Sequence, residues 1–172
     1  MAAIAWTARA GRQPAGSTTH WAVGSAECSR HTGTVTERTV PERTKNERNV
    51  LGGPLEPCGT DPMTGFYRDG CCSTGSEDRG LHTICAVVTT EFLEHQASIG
   101  NDLSTPMPAY RFPGLVPGDR WCVTAVNWLR AHDDGRAAPV VLASTHERTL
   151  DVVDLAILQE HAVDIPDDLS GM

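Results

Sequence analysis

Glycine and proline interrupt this chain so often that it can form only short helices and strands. The 172 residues include 16 glycines and 11 prolines. Four of these prolines lie within residues 101–119, which therefore cannot be regular for long. A second loop of small and polar residues spans 70–80. The apolar segments between the loops predict an α+β domain, with a small mixed β-sheet, short helices and long Pro/Gly-rich loops.

Local patterns predict where these short elements lie. Apolar and β-branched runs predict strands at residues 66–68, 81–88, 120–126 and 139–145. Capping residues and apolar periodicity predict three helices: one from Thr89 or Thr90 to just before Gly100, a short one that ends near Gly135, and one over residues 155–162 behind Asp154.

The apolar patterning also sets the domain boundaries. Residues 1–48 show neither a helical nor a strand period, which predicts a disordered N-terminal extension. This extension is either a flexible basic tail or the product of an overlong start that precedes the true initiation site near Lys45. We expect a single α+β domain over residues 49–166 and a C-terminal tail over 167–172.

Charge and hydropathy indicate which classes of partner this protein can bind and where in the cell it is located. Residues 49–172 contain eighteen acidic residues and seven arginines, and such a surface repels a phosphate backbone. No apolar run approaches the roughly 18 residues of a membrane-spanning helix. The N-terminus lacks the apolar stretch of a secretory signal. These features predict a cytoplasmic protein that binds neither nucleic acid nor membranes.

Cysteines and histidines concentrate in one part of the chain. Five of the six cysteines lie within residues 58–122. Because a cytosol keeps thiols reduced, we expect all six cysteines to be thiols or metal ligands. Thiolates and imidazoles are the usual ligands of zinc, so zinc is a possible cofactor, although no Cys-x-x-Cys pair is present. The metal-ligand candidates are Cys58, Cys72, His82, Cys85 and Cys122.

A cysteine-dependent enzyme is an alternative interpretation of the same region. Cys72 precedes Ser73, Thr74 and Gly75, where backbone N–H groups could form an anion-binding nest that activates the thiol. His82 or His146 would act as the base, with Asp102 or Glu147 orienting the imidazole. Nothing in the sequence sets these distances, so whether the protein is an enzyme stays open.

The loop at residues 100–108 is a candidate binding loop, because several hydrogen-bonding side chains precede its two prolines. Asp119 and Arg120 add a carboxylate and a guanidinium before Trp121, which we expect in the core. The ligand-binding candidates are Asn101, Asp102, Ser104, Thr105, Asp119 and Arg120. The leading hypothesis is a small domain that binds a small molecule or metal through the Cys/His cluster and this loop. A third possibility is an acidic protein-interaction module whose cysteines only fill the core.

Four segments carry a resemblance to a known family. They are NVLGGPLEPCGTDPMTGFYRDGCC at 49–72, GNDLSTPMP at 100–108, FPGLVPGDRWC at 112–122 and PVVLASTHE at 139–147. Over residues 49–164 the chain resembles domain of unknown function 2237, an uncharacterised family of mostly bacterial and plant proteins. The resemblance implies a domain that begins near Asn49, and it implies no activity. Plant members can carry Phe at the position of Cys71, which leaves Cys72 the stronger candidate of the pair.

Overall fold

The computed structural model describes residues 47–165. The predicted extension over residues 1–48, apart from its last two residues, and the predicted 167–172 tail lie outside them. The elements are β1 (Ile84–Val87), α1 (Thr90–Ser98), β2 (Arg120–Val123), α2 (Ala125–Asp133) and α3 (Leu155–Glu160). Single 3-10 turns at Pro108–Tyr110, Leu142–Ser144 and Glu147–Asp151 lie in the connections. The predicted α+β class is confirmed, and every element is short, as the glycines and prolines require.

The sheet is smaller than the sequence suggests. In the described residues it has two antiparallel strands, with Ile84 opposite Val123 and Cys85 opposite Cys122. Val140 adds one antiparallel bridge to Ala86 and one parallel bridge to Ala162. Antiparallel and parallel bridges therefore both occur in this part of the chain, but among the described residues only the antiparallel pairing of β1 with β2 extends over several residues.

The predicted helices are confirmed because their signals are local. The Thr89 hydroxyl caps α1 by accepting a hydrogen bond from the backbone N–H of Phe92 at 3.1 Å. Phe92 is fully buried in the main core. On α2, the Trp128 side chain is also fully buried, and its indole N–H donates to the carbonyl of Ala138 at 3.0 Å. This bond satisfies the one polar atom of the largest core side chain.

Two predicted strands are wrong. In the 139–145 segment the backbone N–H groups of Leu142 and Ala143 both donate to the carboxylate of Asp164, at 2.8 Å each. The Asp164 carboxylate thus accepts the hydrogen bonds that a neighbouring strand would otherwise accept, and the segment forms the Leu142–Ser144 turn. The 66–68 segment is also a turn, in which the Arg68 N–H donates to the Gly65 carbonyl at 3.1 Å.

None of the helices within residues 47–165 has the length and apolar character that crossing a membrane requires.

Candidate functional site: a pocket beside a sulfur cluster

A pocket of about 420 Å³ lies where the loop after α1 meets the 65–68 turn, His82 and the start of β2. This volume falls in the range of sites for small organic ligands. The residues that line it are Gly65, Phe66, Arg68, His82, Asn101, Asp102, Leu103, Met107, Tyr110, Phe112, Trp121 and Cys122. Four of these residues are aromatic, and four others are polar or charged and converge on the same space.

His82 is held in this pocket by a buried carboxylate. Its Nδ1 lies 2.7 Å from Oδ1 of Asp78, whose side chain is fully buried. The other carboxylate oxygen accepts hydrogen bonds from the backbone N–H of His82 at 2.8 Å and from the Thr74 hydroxyl at 3.1 Å. With Nδ1 donating to Asp78, the imidazole is fixed in one tautomer and orientation, and Nε2 is left for a ligand.

Arg68 places a positive charge over an aromatic wall of the pocket. Its guanidinium carbon lies 5.0 Å from the centroid of the Trp121 ring, within cation–π distance. Nη1 also donates to the carbonyl of Met63 at 3.2 Å. The backbone φ of Arg68 is 57°, a left-handed conformation that is uncommon outside glycine. The turn therefore adopts an unfavourable backbone conformation where it sets this side chain against Trp121.

Glycine is required at the other end of the same turn. Gly65 has φ 93°, and a Cβ there would collide with the carbonyl oxygen of Cys71. The pocket wall therefore approaches the backbone next to Cys72 too closely for any side chain.

Asp102 organises its own loop. One carboxylate oxygen accepts from the N–H groups of Ser104 at 2.8 Å and Thr105 at 3.1 Å, and the other accepts from the Thr105 hydroxyl at 2.6 Å. The Thr105 hydroxyl, followed by these N–H groups, holds the pKa of Asp102 below its usual value. The carboxylate lines the pocket, but most of its accepting capacity is used inside the loop.

The other ligand-binding candidates divide between the pocket and the surface. Asn101 lines the pocket, where its amide donates to the Gln96 side chain at 2.7 Å. Asp119 accepts from the Val116 N–H at 2.9 Å within a turn. The pocket lining does not include Ser104, Thr105, Asp119 or Arg120. Trp121 is 92% buried and packs on Phe112, as expected for a core residue that also forms the pocket wall.

Asp78 and Arg68 are site residues that the sequence patterns did not indicate. Asp78 precedes His82 by four residues, a spacing that could have suggested an ion pair. Arg68 gave no such signal, because its role depends on a turn that brings it against a strand 53 residues later.

Behind the pocket, four cysteines form a compact buried group that we term the sulfur cluster: Cys58, Cys72, Cys85 and Cys122. They are 0–2% exposed and pack with Val141. Two disulfides join them, Cys58–Cys85 with Cα atoms 5.6 Å apart and Cys72–Cys122 with Cα atoms 5.3 Å apart. The expectation that these cysteines are thiols is therefore wrong for this structure, because the fold brings distant pairs within bonding reach.

The disulfides also change the catalytic candidates. Cys72 is fully buried and bonded to Cys122, so in this state it presents no thiolate to act as a nucleophile. His146 is buried, accepts at Nδ1 from the Arg148 N–H at 3.0 Å and does not line the pocket. Its burial lowers its pKa, which favours the neutral ring. Of the predicted catalytic residues, His82 is the one in the pocket.

Comparison with known proteins gives a family and no activity. The family model described as an uncharacterized protein conserved in bacteria, domain of unknown function 2237, matches residues 48–162, about two thirds of the chain. No curated protein matches the chain. The matched residues include all the pocket and sulfur-cluster residues described above. The chain therefore belongs to this uncharacterised bacterial family, domain of unknown function 2237.

Proposed function

We propose that the domain binds a small aromatic carboxylic acid in the pocket beside the sulfur cluster. The observation that carries this proposal is the juxtaposition of His82, fixed by buried Asp78, with an aromatic pocket of about 420 Å³. Ligand sites in proteins typically combine such apolar walls with a few oriented polar groups.

The apolar walls support a flat ligand body. Phe112 and Trp121 pack with ring centroids 5.3 Å apart, and the ring of Phe66 lies 5.6 Å from that of His82. Phe66 and Tyr110 keep 37% and 70% of their surface exposed, so both have apolar area left to bury against a ligand.

The polar groups support an acidic ligand. Arg68 has four guanidinium N–H donors beyond the one bonded to Met63. Asp78 holds the His82 ring so that Nε2 is left to bond a polar group of the ligand. Asp102 accepts three hydrogen bonds from its own loop, and these N–H and O–H dipoles partly offset the negative charge that an anionic ligand would meet.

Matched probes test this proposal on the full chain. Phenylacetate, 2-phenylethanol and 2-phenylethylamine share a ring and differ in the charge of the polar group. Titration followed by NMR or calorimetry should show the carboxylate binding at least about 10-fold more tightly than the amine, a difference of about 1.4 kcal/mol, since Arg68 would form a charge-assisted bond to the carboxylate and would repel the cationic amine. Equal affinities, or binding by none of the three, would overturn the proposal.

Arg68→Gln provides the variant test. Loss of the guanidinium should weaken phenylacetate binding about 10-fold and leave 2-phenylethanol nearly unaffected. Arg130→Gln is the matched control, because Arg130 is an exposed arginine on α2 that does not line the pocket. If both variants weaken binding equally, a general charge effect and not the pocket recognises the acid.

A further inference from the structure

The sulfur cluster gathers four cysteines from distant parts of the chain into one small volume. Cys85 and Cys122 are direct partners on adjacent antiparallel strands, so their side chains project from the same face. Their backbone N–H groups donate to side-chain hydroxyls and not to the neighbouring strand: that of Cys85 donates to Thr145 and that of Cys122 to Thr64. They are thus a non-hydrogen-bonded pair, the closer of the two pair types in an antiparallel ladder.

The sulfur positions suit a single tetrahedral ion. The Sγ atoms of Cys58, Cys72 and Cys85 all lie within 4.8 Å of one another. Cys122 is the fourth sulfur: it is joined to Cys72 by a disulfide and lies outside that set of three. Four thiolates about 2.3 Å from a zinc ion are about 3.8 Å from each other. The three Sγ atoms that lie within 4.8 Å of one another are therefore close to the spacing of zinc ligands.

The surroundings suit a closed structural site. All four side chains are at least 98% buried, and Val141 and Val87 pack against them. An enclosed site with four protein ligands leaves no position for water, which distinguishes structural zinc from catalytic zinc. His82, the fifth candidate ligand, is not in this sulfur group, and its Nδ1 is bonded to Asp78.

We propose that the reduced domain binds one zinc ion through Cys58, Cys72, Cys85 and Cys122, so that the cluster has a disulfide form and a metal form. Two dithiol reductants supply four electrons and four protons, which cleave both S–S bonds and yield four thiols and two oxidised reductants. Zinc then binds the four sulfurs as thiolates and releases four protons. In the reverse direction, two disulfide oxidants accept four electrons from the thiolates and take up four protons to become dithiols, so that both protein disulfides form again and the zinc ion leaves.

This proposal is tested on the full chain reduced with a phosphine, which consumes one phosphine and one water per disulfide. After removal of the reductant under anaerobic conditions, zinc is added and excess is removed. We expect one zinc per reduced chain and none on the oxidised chain. Cobalt(II) as a zinc substitute should give the intense visible absorption of a tetrahedral thiolate site. Absence of retained metal, or the weak spectrum of octahedral cobalt, would overturn the proposal.

Cysteine variants identify the ligands. Single changes of Cys58, Cys72, Cys85 or Cys122 to Ser should each weaken apparent zinc affinity by at least about 100-fold, beyond the loss typical of an outer-shell change. Cys71→Ser is the matched control: Cys71 is buried and disulfide-bonded but lies outside the sulfur cluster, so in the reduced chain its variant should bind zinc as the parent does. The double variant Cys28→Ser/Cys71→Ser leaves only the four cluster cysteines and should also retain one zinc.

Two results would refute the four-cysteine assignment. Retention of zinc by Cys122→Ser would reduce the site to three cysteines, and loss of zinc from the double variant would place a ligand elsewhere. Both readouts use metal content and cobalt absorption, which are independent of the aromatic-acid titrations. The zinc site and the pocket proposal can therefore fail separately.

Discussion

At the scale of single residues, Ser73 stands out because its buried hydroxyl has no hydrogen-bond partner among the described residues. Removing an unsatisfied buried hydroxyl should relieve its desolvation cost. We expect Ser73→Ala to raise the free energy of unfolding by up to about 1 kcal/mol, measured by urea denaturation. Ser144→Ala is the matched control: Ser144 is equally buried but donates to the Pro57 carbonyl at 3.0 Å, so its loss should destabilise.

Asp78 is the residue on which the orientation of His82 depends. In Asp78→Asn, the side-chain NH₂ group replaces one accepting oxygen and faces an N–H or O–H donor that loses its acceptor. This change should lower the free energy of unfolding by about 1–3 kcal/mol. Nitrogen NMR of the His82 ring should show a change of tautomer or a mixture. Asp133→Asn, at an exposed position on α2, should change neither measurement. An unaltered His82 spectrum in Asp78→Asn would show that Asp78 does not orient the ring.

At the scale of elements, the two nine-residue helices differ in how their first turns are capped. The Thr89 hydroxyl accepts from Phe92 N–H at the start of α1, whereas Thr124 makes no side-chain capping bond at the start of α2. Thr89→Ala should therefore lower the unfolding free energy by about 1 kcal/mol, and Thr124→Ala should change it by less than half as much. Equal losses in urea denaturation would indicate that β-branching, and not capping, determines the effect.

At the scale of the whole molecule, the lowered pKa values of two histidines lead us to expect that the free energy of unfolding falls in mild acid. Burial lowers the pKa of His146, and burial together with His132 lowers that of His161. Because the unfolded chain titrates near 6.5, it takes up protons before the folded domain does. The contribution of these histidines to the free energy of unfolding is complete above about pH 6.5. It is lost as the pH falls toward their lower pKa values in the folded domain.

Urea denaturation at pH 7.5 and 5.5 measures this loss. His146→Asn, whose amide oxygen can still accept from the Arg148 N–H, should show a smaller difference between the two pH values than the parent. An identical pH dependence in the variant and the parent would exclude His146 as a source of the effect.

The sequence alone determined the features that depend on neighbouring residues. The start of α1 at Thr89 or Thr90, the turn into β2, the start of α3 after Asp154 and the shortness of every element follow from backbone preferences that act within a few residues. The resemblance to an uncharacterised family also rested on short sequence segments, and the match of the family model to residues 48–162 confirms it. The sequence also indicated the region of the chemistry, because His82, Asn101, Asp102 and Cys122 all line the pocket.

Tertiary structure alone decided which distant residues meet. Cys58 pairs with Cys85 across 27 residues and Cys72 with Cys122 across 50, and spacing contains no signal for either partner. Asp164 converts the apolar 139–145 segment from a predicted strand into a turn by accepting two of its backbone N–H groups. Backbone propensity is local, whereas disulfide partners, borrowed hydrogen bonds and pocket walls depend on long-range packing, which one sequence does not reveal.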